Sequence, residues 1–211
     1  MAMASPKRST DTAGAASSRM MKSGLRPSRS FVQGAIEAMA RTRAEKGHCT
    51  FAFTAPNRRA GTTYVVSLLA DELVAQFDAT VAVVPADALK NCDPKRLPQG
   101  FTEQSHKLWK AVPDETLEHM PDFALENVWI SADAKNFDFI LIDCPSLDFN
   151  PLALRWASEV DGVVLVLQAG ETRLEQIDTA QRLLRSSPGR LAGMILNKRT
   201  YPIPKFLYKL L

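Results

Sequence analysis

Two short apolar runs, Phe139-Ile140-Leu141-Ile142 and Val163 to Leu167, constrain this chain most. Neither alternates with polar residues, so each reads as a strand covered on both faces rather than one with a wet side. Between such runs lie segments of helical period. Thr62 to Gln76 places Val65, Val66, Leu69, Leu73 and Val74 on one stripe, and residues 173–185 form a second amphipathic stretch. Thr50-Phe51-Ala52-Phe53, Thr80 to Val84 and Leu191 to Leu196 complete a series of strands. Buried strands separated by helices specify an α/β fold with a doubly wound, mostly parallel sheet. A further helix is expected after Ser30, with Phe31, Ala35, Met39 and Arg43 at helical spacing and Gly47 as its stop. Residues 88–136, with several prolines, are expected to hold short helices and loops.

Charge is unevenly placed. Residues 1–46 carry nine Lys/Arg against three acids, while the whole chain of 211 residues is only +3. Residues 1–30 have almost no large apolar side chains, so a disordered basic tail is expected there, with one domain over 31–211. No run reaches the ~20 apolar residues that span a bilayer. The basic N-terminus lacks an apolar segment of the secretory kind. A cytoplasmic protein is the expectation. The cysteines, Cys49, Cys92 and Cys144, form no CxxC pair and fit inert, reduced thiols.

The chemistry is concentrated after the first strand. Strand, loop and helix in succession aim helix N-terminal amides at a phosphate. The phosphate-loop pattern GxxxxGK[ST] uses glycine for close backbone approach and lysine for the β- and γ-phosphates. Here Gly61 keeps the second glycine, Thr63 keeps the hydroxyl that binds magnesium, and Thr62 occupies the lysine position. The tight-turn glycines are absent, and the loop carries Arg58 and Arg59. Asp143 ends the strand Phe139–Ile142 and Asp87 follows the strand ending at Val84, both at carboxyl ends, where open α/β sheets bind ligands. Asp143 also stands close before Pro145, so capping of a turn is a competing reading.

Three segments resemble the deviant-Walker ATPases of the Min/Par type, and within them the bacterial tyrosine kinases of exopolysaccharide synthesis. Thr54 to Leu73 is similar to that family's Walker A loop and helix, and Phe137 to Pro145 to its Walker B strand. Ala157 to Val166 running on to Gly193-Met194-Ile195-Leu196-Asn197-Lys198 resembles its closing strands. Glu37-Ala38-Met39-Ala40-Arg41-Thr42-Arg43 resembles the helix that mediates subunit contacts there.

The resemblance implies nucleotide contacts from Arg58, Arg59, Gly61, Thr62, Thr63 and Asn197, the last at the adenine position, and metal ligation by Thr63, Asp87 and Asp143. The chain departs from the family in its lysine-free loop, the lost first acid at Pro85-Ala86-Asp87 and the missing tyrosine cluster; only Tyr201 and Tyr208 lie near the end. ATP and Mg are therefore expected to bind weakly or not at all. Arg58 and Arg59 are the cations available to replace the lysine. The implied partner is the cytoplasmic part of a polysaccharide co-polymerase, which would place the chain peripherally at the inner membrane, with homo-oligomer contacts through residues 31–46. Nucleic acid is not an expected partner. Three roles stay open: a non-catalytic or weakly catalytic partner protein, an active tyrosine autokinase, and a positioning ATPase that binds DNA or membrane through its basic tail.

Overall fold

A computed structural model describes residues 29–89, 100–113, 116, 128–130 and 136–198. The expected basic tail, apart from Arg29 and Ser30, and the segment carrying Tyr201 and Tyr208 lie outside the described residues. Helix α1 (Arg29–Lys46) leads to β1 (Cys49–Thr54) and α2 (Thr62–Phe77). Strands β2 (Val81–Pro85), β3 (Gly100–Ser105), β4 (Leu108–Val112), β5 (Val128–Ile130) and β6 (Phe139–Asp143) follow. Helix α3 (Leu152–Trp156), β7 (Gly162–Gln168), α4 (Leu174–Ser186) and β8 (Leu191–Asn197) complete the order.

The eight strands form one sheet in the order β5-β3-β4-β2-β6-β1-β7-β8. Strand β1 pairs in parallel with β6 and with β7, and β6 in parallel with β2. Both faces are covered, as the unalternated apolar runs require. Phe51, Phe53, Phe139 and Leu141 pack with Ile36 and Met39 of α1 and with Val65, Leu69 and Leu73 of α2. Ala52, Ile140, Ile142 and Leu165 face the other way, toward Leu152 and Trp156 of α3 and Ala180 and Leu184 of α4. The period of two along each strand thus sorts one run into two cores.

One region departs from expectation. Within residues 88–136 the chain forms β3 and β4 as an antiparallel hairpin, with β5 beside β3. The hairpin turns at His106-Lys107, where Lys107 takes the left-handed φ of 59° with no glycine to announce it. Glu103, Gln104 and Ser105 are exposed, so this stretch gives no apolar strand signal. Among the described residues no helix is long and apolar enough to cross a membrane.

The C-terminal end of α1 is fastened to the amino edge of the sheet. Arg43 donates from Nε and Nη2 to Asp138 Oδ1 at 3.1 and 2.6 Å, while the Thr80 N–H donates to Asp138 Oδ2 at 2.8 Å. Asp161 is used in the same way, accepting from Lys46 Nζ and from the Thr50 N–H. Each carboxylate binds the helix and at the same time satisfies an amide where a strand begins. Asp138→Ala is expected to cost about 2 kcal/mol, since it strands a half-buried guanidinium and an amide. Removal of the exposed Lys107–Asp78 pair is expected to leave stability close to that of the parent. Denaturant midpoints of the two variants check the difference.

Candidate phosphate-binding site

The candidate site is built at the carboxyl ends of β1, β2, β6 and β8. After Thr54 the chain leaves β1, runs through residues 55–61 and enters α2 at Thr62. Buried Thr54 donates its hydroxyl to the Pro145 carbonyl at 2.6 Å, so the exits of β1 and β6 are tied together. Arg59 has φ of 66° and Gly61 φ of 86°, on either side of Ala60. This alternation of handedness turns successive amides toward one side, a concavity that suits anions. Arginine fills one of the two left-handed positions of this loop.

Several expected residues come together. Thr63 Oγ1 donates to Asp143 Oδ2 at 2.6 Å. Burial pushes the Asp143 carboxyl above its ordinary range, with nearby Asp87 acting in the same direction, while the Thr63 bond and Lys110 oppose the rise. Asp87 itself is exposed and accepts from the Ala88 N–H at 3.1 Å. A hydroxyl beside a carboxylate is a hard-oxygen donor pair of the kind magnesium takes. Among the described residues no group of three or more His, Cys, Asp or Glu could hold a metal ion.

A cavity of about 390 Å³ opens over the loop, lined by Arg58, Arg59, Gly61, Thr62, Thr63, Asp143, Cys144 and Phe149. Its size falls within the range of small-ligand sites. Arg58 stacks its guanidinium 4.0 Å from the centre of the Phe149 ring, and its N–H donates to Asp148 Oδ2 at 3.4 Å. Arg58 therefore lies at the rim, engaged with the loop after β6.

Asn197 sits apart from the cavity wall. It is buried, its Nδ2 donating to the Ala60 carbonyl at 2.8 Å and its Oδ1 accepting from the Lys198 N–H at 2.8 Å. A Cβ added to Gly61 would lie 2.5 Å from Asn197 Nδ2, so this glycine is required by close packing as well as by its φ. Lys198, which sequence reasoning passed over, donates its ammonium to the Arg59 carbonyl and, at 3.4 Å, to Gln168 Oε1. Its place directly after Asn197, at a strand's carboxyl end, was the available signal. Lys110 on β4 and Phe149 were also unforeseen, because the hairpin and the loop after Asp143 carry no motif. Both described cysteines are buried, and burial raises the Cys49 thiol to about 12, which agrees with inert thiols.

Three outcomes test this geometry. Gly61→Ala is expected to cost about 2 kcal/mol or more, from the left-handed strain and the clash with Asn197. Arg59→Gly stays within about 1 kcal/mol of the parent, because relief of strain offsets the added chain entropy. Asp143 has a folded pKa above the unfolded one, so its ionisation opposes folding. The contribution of Asp143 to stability is most favourable below the ordinary carboxylate value of ~4 and is lost as pH rises through the elevated folded value. Asp143→Asn therefore raises the melting temperature at neutral pH and flattens that decline, as thermal scans across pH would register.

No family model matches the sequence. Over 91 residues the chain is 34% identical to the tyrosine-protein kinase CpsD of Streptococcus agalactiae, a match covering 41% of this chain. The chain spans about 40% of the length of that curated relative. Among solved structures, the kinase domain of the Escherichia coli tyrosine kinase ETK superposes with a TM-score of 0.54 at 19% identity, covering 81% of this chain and 79% of that one. The chimerical protein CapA2B2 superposes with a TM-score of 0.58 at 16% identity, covering 87% and 89%. This chain is thus related, through part of its length, to a tyrosine-protein kinase, and its fold is the P-loop α/β fold of tyrosine kinase domains.

Proposed function

We propose that this chain is a degenerate tyrosine-kinase-like P-loop protein. It would hold a nucleotide weakly, transfer phosphate slowly or not at all, and act as a partner or regulator in exopolysaccharide synthesis and export. One observation carries this reading. Thr62 heads α2 where the lysine of a phosphate loop would stand, while Gly61, Thr63 and Asp143 line one cavity and Thr63 bonds Asp143.

Phosphoryl transfer depends on positioning and on charge placed in advance around the moving group. Loss of one such charge costs ~3 kcal/mol or more, a hundredfold or worse in rate. Thr63 and Asp143 would hold a magnesium ion, with Asp87 beside them. That ion would supply positive charge at the phosphates. Arg58 supports binding more than transfer, because its guanidinium is already stacked on Phe149 at the rim. The sequence match to a tyrosine-protein kinase supports a place in the same kind of system, docked on the cytoplasmic part of a membrane co-polymerase.

Incubation with γ-labelled Mg-ATP is expected to leave Tyr201 and Tyr208 unlabelled, while the protein co-purifies with the co-polymerase's cytoplasmic part. Labelling of either tyrosine that disappears in Asp143→Asn would contradict the reading and favour an active autokinase.

A further inference from the structure

Resting on the reading that this loop binds phosphate groups, we infer that Lys198 is the positioning residue that makes the lysine-free loop competent to do so. A lysine inside a phosphate loop ties loop carbonyls and supplies positive charge to the phosphates. Thr62 carries no charge for either task.

The arrangement at the end of β8 supplies both from outside the loop. Asn197 takes the Ala60 carbonyl through Nδ2, and Lys198 takes the preceding carbonyl, that of Arg59, through Nζ. Two consecutive carbonyls are thereby held on the β8 side. With these oxygens engaged, the alternating backbone of Arg59, Ala60 and Gly61 is left to offer its N–H groups to an anion. The same contact brings a full positive charge onto the loop. Lys198 Cε lies 3.6 Å from where a Gly61 Cβ would be, so the lysine stem runs along the loop at its point of closest approach. Gln168 Oε1 gives the ammonium a second acceptor and fixes its position between β7 and the loop.

Lys198 itself adopts a left-handed φ of 55°, with its own N–H bound by the Asn197 side chain. Local backbone strain of this kind persists where the surroundings hold it. Here it is held by the contacts that aim the side chain at Arg59. The ligand class is a phosphate ester or polyphosphate with two or more linked phosphates, recognised by loop amides and by charge rather than by a covalent step.

The test is calorimetric titration of the full chain with Mg-ATP and, separately, inorganic pyrophosphate. Five proteins are compared: parent, Thr62→Lys, Lys198→Met, Lys198→Arg, and Lys198→Met combined with Thr62→Lys. The parent is expected to bind both probes with a Kd near or below about 1 mM. Lys198→Met is expected to bind at least tenfold more weakly, with a shallower dependence of affinity on salt concentration. Lys198→Arg keeps most of the affinity, and adding Thr62→Lys to Lys198→Met restores it. A purely structural role for Lys198 predicts no rescue by a lysine at position 62, and that outcome would overturn the inference. Equal binding by parent, Lys198→Met and Lys198→Arg would also overturn it while leaving the phosphate reading intact. Absence of binding in the parent and in a Thr62→Lys single variant would overturn both.

Discussion

Strand β1 runs between β6 and β7, parallel to both, with large side chains on one face and Ala52 on the other. Because the pairing is parallel, the three strands end on the same edge. That edge carries the loop after Thr54, Asp143 at the end of β6 and, one strand further out, Asp87 after β2. A one-residue slip of β1 would turn Phe51 and Phe53 out of the core shared with α1 and α2. The cores therefore fix the register, and the register fixes which polar groups meet. The Thr54 hydroxyl bound to the Pro145 carbonyl is the last link between sheet and site.

At this edge, two features that usually travel together have separated. The proposed phosphate loop has left-handed residues on either side of Ala60 and a helix starting at Thr62. The cation normally built into it is absent. What remains is cationic in a different arrangement: Arg58 stacked at the rim, Lys198 against the outer side of the loop, and Lys110 acting on Asp143 from β4. On the function proposed above, such a distribution would suit holding an anion more than steadying a phosphoryl group in flight, because transfer needs charge at the reacting oxygens. The half-buried, destabilised carboxylate at Asp143 is consistent with a site still shaped for ligand chemistry, since its desolvation opposes folding.

Much of this was legible in the sequence. The strands on either side of the loop announced themselves as unalternated apolar runs, and the doubly wound sheet followed from those. Gly61, Thr63 and Asp143 were found because their spacing relative to a strand and a helix has a chemical reason. The β3–β4 hairpin was missed because it turns on Lys107 in a left-handed conformation and carries polar residues on β3. Lys198 was missed for a different reason. Its role arises from a contact across 139 positions of sequence, and nothing local to Lys198 encodes the Arg59 carbonyl. Asn197, read as a nucleotide contact, is buried against the loop backbone, bonded to the Ala60 carbonyl and packed closely on Gly61.

The central claim is that the loop retains an anion-binding backbone without its lysine. Backbone amide chemical shifts followed during titration with inorganic pyrophosphate and magnesium address it most directly. Saturable movement of the Gly61, Thr62 and Thr63 amides is the expected result. Amides in this stretch that stay unmoved, or whose peaks are already broadened by exchange among several conformations, would contradict it.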